Sequence, residues 1–181
     1  MSTIRPRVPE DPRTPEDAVG PGSGADRSAR VTLPPGGQVR RLALSGTKGV
    51  VARSRDFTRG ALTDWEWLPA EDEDALAVAE DVLLVVSELV TNACLHAGGP
   101  QELLLHCTDD ALRIEVADAS PTHPEPRNPH ERGKPGGHGL HIVGRLSRRW
   151  GVAARPMAGV DGVAASGKSV WVELDAPWAR G

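Results

Sequence analysis

Cysteine is scarce in this 181-residue chain: Cys94 and Cys107 are the only two, far apart and without the CxxC spacing of a metal or redox site. Both lie in apolar runs, which reads as buried free thiols. Aromatic residues amount to only 3%. No apolar run approaches the roughly 20 residues that a membrane-crossing helix needs. Met1 to Glu10 carries prolines and charges but no apolar core of a secretory signal. An excess of positive charge is missing too. The 21 Lys and Arg face 25 Asp and Glu, for a net charge of -4, which argues against direct nucleic-acid binding. Together these absences read as a cytoplasmic protein with no membrane and no nucleic-acid partner.

What is abundant is turn chemistry. Gly 20 and Pro 16 make up well over the usual share of about 12%, which signals long irregular stretches around a modest core. Residues 1–37 hold seven prolines, several glycines and balanced charges with hardly an apolar side chain. Such a segment buries too little surface to offset its ordering entropy, and it reads as a disordered tail. A folded domain is expected over 38–176, with a short C-terminal tail over 177–181.

Within the domain, Val39, Leu42 and Leu44 read as a short strand. The spacing of Val51, Ser54, Phe57 and Ala61 predicts an amphipathic helix over Val50 to Leu62. A longer helix is expected from Asp72 to Ala97, begun by an acidic turn and stopped at Gly98-Gly99-Pro100, with Val78, Val82, Val85, Leu89 and Ala93 on one face. Glu102–Thr108 and Leu112–Asp118 alternate as a hairpin. A Pro-rich loop follows to Gly137, then a helix over His138–Arg149. Strands are expected at Trp150-Gly151-Val152 and over Ser169–Leu174. The sum is an α+β layer with helices on one face of a mostly antiparallel sheet.

Three places carry candidate chemistry. Glu88, Asn92 and His96 stand at i, i+4 and i+8, one polar stripe on an apolar helix. The Asn92 oxygen is a hard ligand suited to Mg²⁺ beside nucleotide phosphates, and Glu88 can accept a proton from an attacking hydroxyl or water. For an isolated E-x-x-x-N, a solvated helix face is the commoner explanation. Asp118 ends a strand; there it can accept a hydrogen bond from an exocyclic amine such as that of adenine, or simply cap the strand. Gly136-Gly137-His138-Gly139-Leu140 opens a helix, where glycines let the backbone approach phosphates and the helix end offers free N–H groups. Gly167-Lys168-Ser169 is a weaker signal, equally a turn with a snorkelling lysine.

Order and spacing together are more specific than any one of these. The run from Glu88-Leu89-Val90-Thr91-Asn92-Ala93 through Asp118 and Gly137-His138-Gly139-Leu140 to Gly167-Lys168-Ser169 resembles the GHKL (Bergerat-fold) ATPase and kinase superfamily. More closely it looks like the small stand-alone anti-sigma-factor serine kinases and their actinobacterial relatives, over roughly Val39 to Leu174. The resemblance implies a two-layer α/β sandwich that binds ATP and Mg²⁺. It implies Asn92 as the Mg²⁺ ligand, Glu88 as general base and Asp118 on the adenine amino group. Gly137 and Gly139 would line the phosphate side, with His96, His138 and Leu140 at the nucleotide and Ser169 near the adenine. Pro121–Pro135 would be the ATP lid. The implied partners are an anti-sigma antagonist, phosphorylated on serine, and a sigma factor. Homodimers are common in the family; the surroundings of Trp65, Trp67 and Trp178 offer surfaces for one, or these tryptophans, beside Pro69 and Pro177, are local packing.

The chain departs from the family pattern where D-x-G-x-G becomes Asp118-Ala119-Ser120-Pro121, without either glycine, and where Lys168-Ser169 replaces the usual Thr motif. The lost glycines after Asp118 favour an alternative in which ATP or ADP only sets a conformation that binds a partner and no phosphate moves. The retained Glu88 favours phosphotransfer. A two-component sensor kinase would need a phospho-accepting histidine segment, and a gyrase- or chaperone-type ATPase a transducer domain; neither is expected in a chain of this length.

Overall fold

The computed structural model describes residues 33–122, 139–157 and 165–180. The chain divides into two units, Met1–Arg30 and Val31–Gly181. The first lies outside the described residues, as does most of the expected tail and lid. The last residues read as tail, 33–37, form a turn in which Gly37 N–H donates to Pro34 O at 2.8 Å, and His106 Nε2 reaches Gly36 O at 2.7 Å.

The elements run β1 (Gln38–Ala43), α1 (Val50–Asp64), α2 (Glu73–His96), β2 (Pro100–Cys107), β3 (Ala111–Asp118), α3 (Gly139–Leu146), β4 (Arg149–Met157) and β5 (Ala165–Asp175). A short 3-10 helix, Pro177–Arg180, follows. The five strands form one sheet in the order β1-β2-β3-β5-β4, and every neighbouring pair is antiparallel. The architecture is α+β, a two-layer sandwich.

The longest helix forms for local reasons. The Asp72 carboxylate accepts from Ala75 N–H at 2.7 Å, and Glu73 and Asp74 occupy the first turn, where the helix dipole favours negative charge. Such a cap contributes about 1 kcal/mol. At the far end Gly98 (φ 72°) and Gly99 (φ 117°) take backbone shapes that side chains disfavour, and Gly99 N–H donates to Ala93 O at 3.0 Å. Val78, Val82, Val85, Val86, Leu89, Val90 and Ala93 are all buried. They meet the inward-facing positions of the sheet: Leu103 and Leu105 of β2, Leu112, Ile114 and Val116 of β3, and Val170, Val172 and Leu174 of β5. Alternation along each strand puts these residues on one face, and the helices cover it. Each such side chain, fully buried, contributes about 1.5–3 kcal/mol.

Among the described residues, charge pairs line the outer face. Arg149 grips Glu173 through two bonds of 2.9 Å. Arg113 stacks over the Trp171 ring at 4.2 Å. Arg155 reaches Glu102 at 2.7 Å, with Arg41 at 3.4 Å on the same oxygen. Burial works to raise the Glu102 carboxyl, but the hydrogen bond and charge of Arg155, joined by those of Arg41, outweigh it and hold the group below its ordinary range.

Two expectations change here. Residues 177–180 are not a free tail: the Trp178 ring packs edge-on against buried Trp67 at 5.7 Å, and its indole N–H donates to Asp109 O at 2.7 Å. Of the two thiols only Cys107 is buried; Cys94 is exposed, because it falls on the outward side of α2 directly after the core residue Ala93. Burial, with the nearby Asp109 charge, pushes the Cys107 thiol up to about 12. Among the described residues no helix is long and apolar enough to cross a membrane.

Candidate functional site

The apolar stripe of α2 leaves Glu88 and Asn92 on its flank, both half-buried. One residue earlier, Ser87 Oγ accepts from Arg55 Nη1 at 2.8 Å, and the same guanidinium nitrogen donates to Leu83 O at 3.2 Å. These bonds tie α1 to the turn of α2 that carries Glu88.

The start of α3 lies against this pair. A Cβ built on buried Gly139 would stand 2.6 Å from Glu88 Oε2, 3.0 Å from Asn92 Nδ2 and 3.3 Å from Asn92 Oδ1. Only a glycine lets the first turn of α3 come so close without displacing them. The carboxylate, the carboxamide and the helix N-terminus therefore share one small space, and neither side chain makes a hydrogen bond to another described residue. Leu140 follows, half-buried, and His96 stands exposed one turn beyond Asn92. Gly137 and His138 lie outside the described residues.

Asp118 ends β3 on the same face as Ile114 and Val116, the side the helices cover. Its Oδ1 accepts from Ser120 N–H at 2.8 Å, a local turn that holds the carboxylate in place. The same oxygen accepts from Lys168 Nζ at 2.8 Å, and that ammonium also donates to Ser120 O at 3.2 Å. The ion pair is buried, with side chains 7% and 4% exposed. Lys168 is thus no snorkelling turn residue.

The register explains which β5 residue reaches Asp118. Asp118 pairs with Lys168 and Ala117 with Ser169. Lys168 shares the inward face of Val170 and Val172, while Ser169 is turned to the other face with its Oγ buried and unpartnered among the described residues. The β5 residue that reaches Asp118 is Lys168. Counting back two and four residues from Val170 and Val172 would have found it, since a strand repeats its face every second residue.

These residues fit a magnesium nucleotide. Asn92 offers a hard oxygen, with the Glu88 carboxylate one turn away. Mg²⁺ typically takes only one or two protein oxygens beside waters and phosphates. Gly139 supplies a side-chain-free approach at a helix N-terminus, where free N–H groups favour anions. Asp118 Oδ2 has no partner among the described residues.

A model of the histidine kinase-like ATPase domain matches residues 45–157. The matched stretch includes Glu88, Asn92, Asp118 and Gly139 and stops before Lys168 and Ser169. A comparison with curated proteins gives no match.

Proposed function

Because the chain belongs to the histidine kinase-like ATPase domain family, we propose that it is an ATP-binding serine/threonine protein kinase of the anti-sigma type. Family membership carries ATP binding; the phosphotransfer and its protein substrate are our reading. The substrate class is a small anti-sigma antagonist phosphorylated on serine, the output is control of a sigma factor, and the setting is the cytoplasm. The observation that carries this reading is the meeting of Glu88, Asn92 and Gly139 in one space.

When bound, Mg·ATP supplies a transferable γ-phosphoryl group and the cation that offsets its charge. The chain supplies position and proton handling. Asn92 presents its carboxamide oxygen to the cation. Glu88 accepts the proton of the attacking serine hydroxyl, a contribution of about 10²–10⁴-fold when a base is well placed. The N-terminus of α3 offers backbone N–H groups to phosphate oxygens, and Asp118 holds the base. Catalysis of this kind is mostly positioning and electrostatics.

Incubating purified protein with labelled ATP and antagonist-type substrates tests the reading. Phosphoserine is expected from the wild type. Glu88→Gln should lower the rate about 10²–10⁴-fold while keeping ATP affinity. Intact ATP binding with no transfer to any antagonist sinks the kinase reading.

A second reading, a non-catalytic module that binds partners according to ATP or ADP, draws on a specific feature. Ala119 and Ser120 stand where the family has a flexible glycine-bearing turn, and the Asp118–Ser120 bond fixes that turn. Under this reading Glu88→Ala leaves the regulatory output unchanged.

A further inference from the structure

Lys168 has three N–H donors and uses two of them, toward Asp118 Oδ1 at 2.8 Å and Ser120 O at 3.2 Å. Asp118 uses one oxygen, Oδ1, for both Lys168 and Ser120 N–H. Among the described residues its Oδ2 has no partner. A nearly buried carboxylate and a nearly buried ammonium thus lie side by side, one with a spare acceptor and the other with a spare donor. Buried charges are costly unless paired and fully hydrogen-bonded. The ion pair meets the first condition and leaves the second open. Both groups sit on the helix-covered face of the sheet, the side on which α2 carries Glu88 and Asn92.

An acceptor beside a donor is the complement of a heterocycle edge that shows a donor beside a ring acceptor. The 6-amino group of adenine has such a ring acceptor on either side, N7 on one edge and N1 on the other. We infer that Lys168 is a base-reading residue: Asp118 Oδ2 accepts from the 6-amino group, and the third hydrogen of Lys168 Nζ donates directly to N1. This inference rests on the ATP-site reading above and adds to it a direct, charged contact to the ring. The contact comes from β5, beyond the stretch that matches the family. A charged donor bound to a neutral ring nitrogen is stronger than a neutral one. A base with O6 and N1–H turns a carbonyl toward Oδ2 and is disfavoured in this pose.

The test is a calorimetric titration, with Mg²⁺ present, of the full chain with ATP, with 1-deaza-ATP (N1 replaced by C–H) and with GTP. Wild type should bind 1-deaza-ATP about 10- to 100-fold more weakly than ATP, the range expected for a charged hydrogen bond left unmade, and GTP more weakly still. In Lys168→Met the two adenine nucleotides should bind within about twofold of each other. If that variant fails to fold because Asp118 is left unpaired, Lys168→Met with Asp118→Asn removes the charge as a pair, and the same loss of discrimination is expected. ATP and 1-deaza-ATP binding equally to the wild type overturns the Lys168 contact while leaving the ATP site standing. GTP binding as tightly as ATP overturns the base assignment. No ATP binding at all overturns the site reading itself, and the inference with it.

Discussion

Gly139→Ala separates the site from the fold. The new Cβ would stand 2.6 Å from Glu88 Oε2, so that oxygen must retreat by the 0.8 Å that separates 2.6 Å from the 3.4 Å where ordinary contact begins. Asn92 Nδ2, at 3.0 Å, must also give by a few tenths of an ångström. Both atoms end flexible side chains, so the strain is relieved by rotating them rather than by moving backbone. Alanine in the first turn of a helix is favoured over glycine by roughly 0.5–1 kcal/mol, which offsets much of what remains. The thermal midpoint should therefore move by only a few degrees, since about 1 kcal/mol corresponds to about 2–4 °C in a domain near 150 residues. The site should suffer far more, because misplacing reacting groups by about 1 Å costs on the order of 10²-fold in rate. Paired thermal denaturation and phosphotransfer assays read the two effects. A midpoint moved by no more than a few degrees, with transfer lowered at least tenfold, is expected. Full transfer by Gly139→Ala would refute the claim that Glu88 and Asn92 act from the positions Gly139 allows.

The outer face and the thiols give further tests. Glu102 titrates below its ordinary value of 4.5 in the folded chain, so its contribution is fully present above that pH and is lost as pH falls through the lower folded value. Glu102→Gln should flatten the stability loss below about pH 4.5 and lower neutral stability by about 0.2–1 kcal/mol, as expected for a partly exposed pair. Acid denaturation followed by circular dichroism measures both, and an unaltered acid limb would contradict the assignment. A thiol-labelling reagent should modify Cys94 alone in the native protein and Cys107 only after unfolding. The Cys107 thiol is buried and shifted to about 12. Two fast equivalents without denaturant would show that this strand end opens.

Part of the candidate site was legible in the sequence because it sits on one helix. Glu88 and Asn92 are one turn apart on α2, and the helix itself is announced by Asp72, its acidic first turn and Gly98-Gly99. Asp118 was legible as the last residue of an alternating strand. Its partner was not, because Lys168 is 50 residues away and meets it only through the insertion of β5 between β3 and β4 in the sheet. Local periodicity gives a residue's face but not its neighbour across the ladder. The same limit hid Trp178, whose partners Trp67 and Asp109 come from distant turns. Cys94 was misplaced for a different reason: an apolar run in a helix turns through every face, and position 94 turns outward.

The central claim, that Asn92 and its neighbours form a magnesium-dependent ATP site, is tested most directly by calorimetric titration of ATP and ADP with and without Mg²⁺, on wild type and Asn92→Ala. The account predicts ATP binding that depends on Mg²⁺ and collapses in Asn92→Ala, with the folded state retained by circular dichroism. Binding that ignores Mg²⁺, or that survives the loss of the Asn92 oxygen, would contradict it.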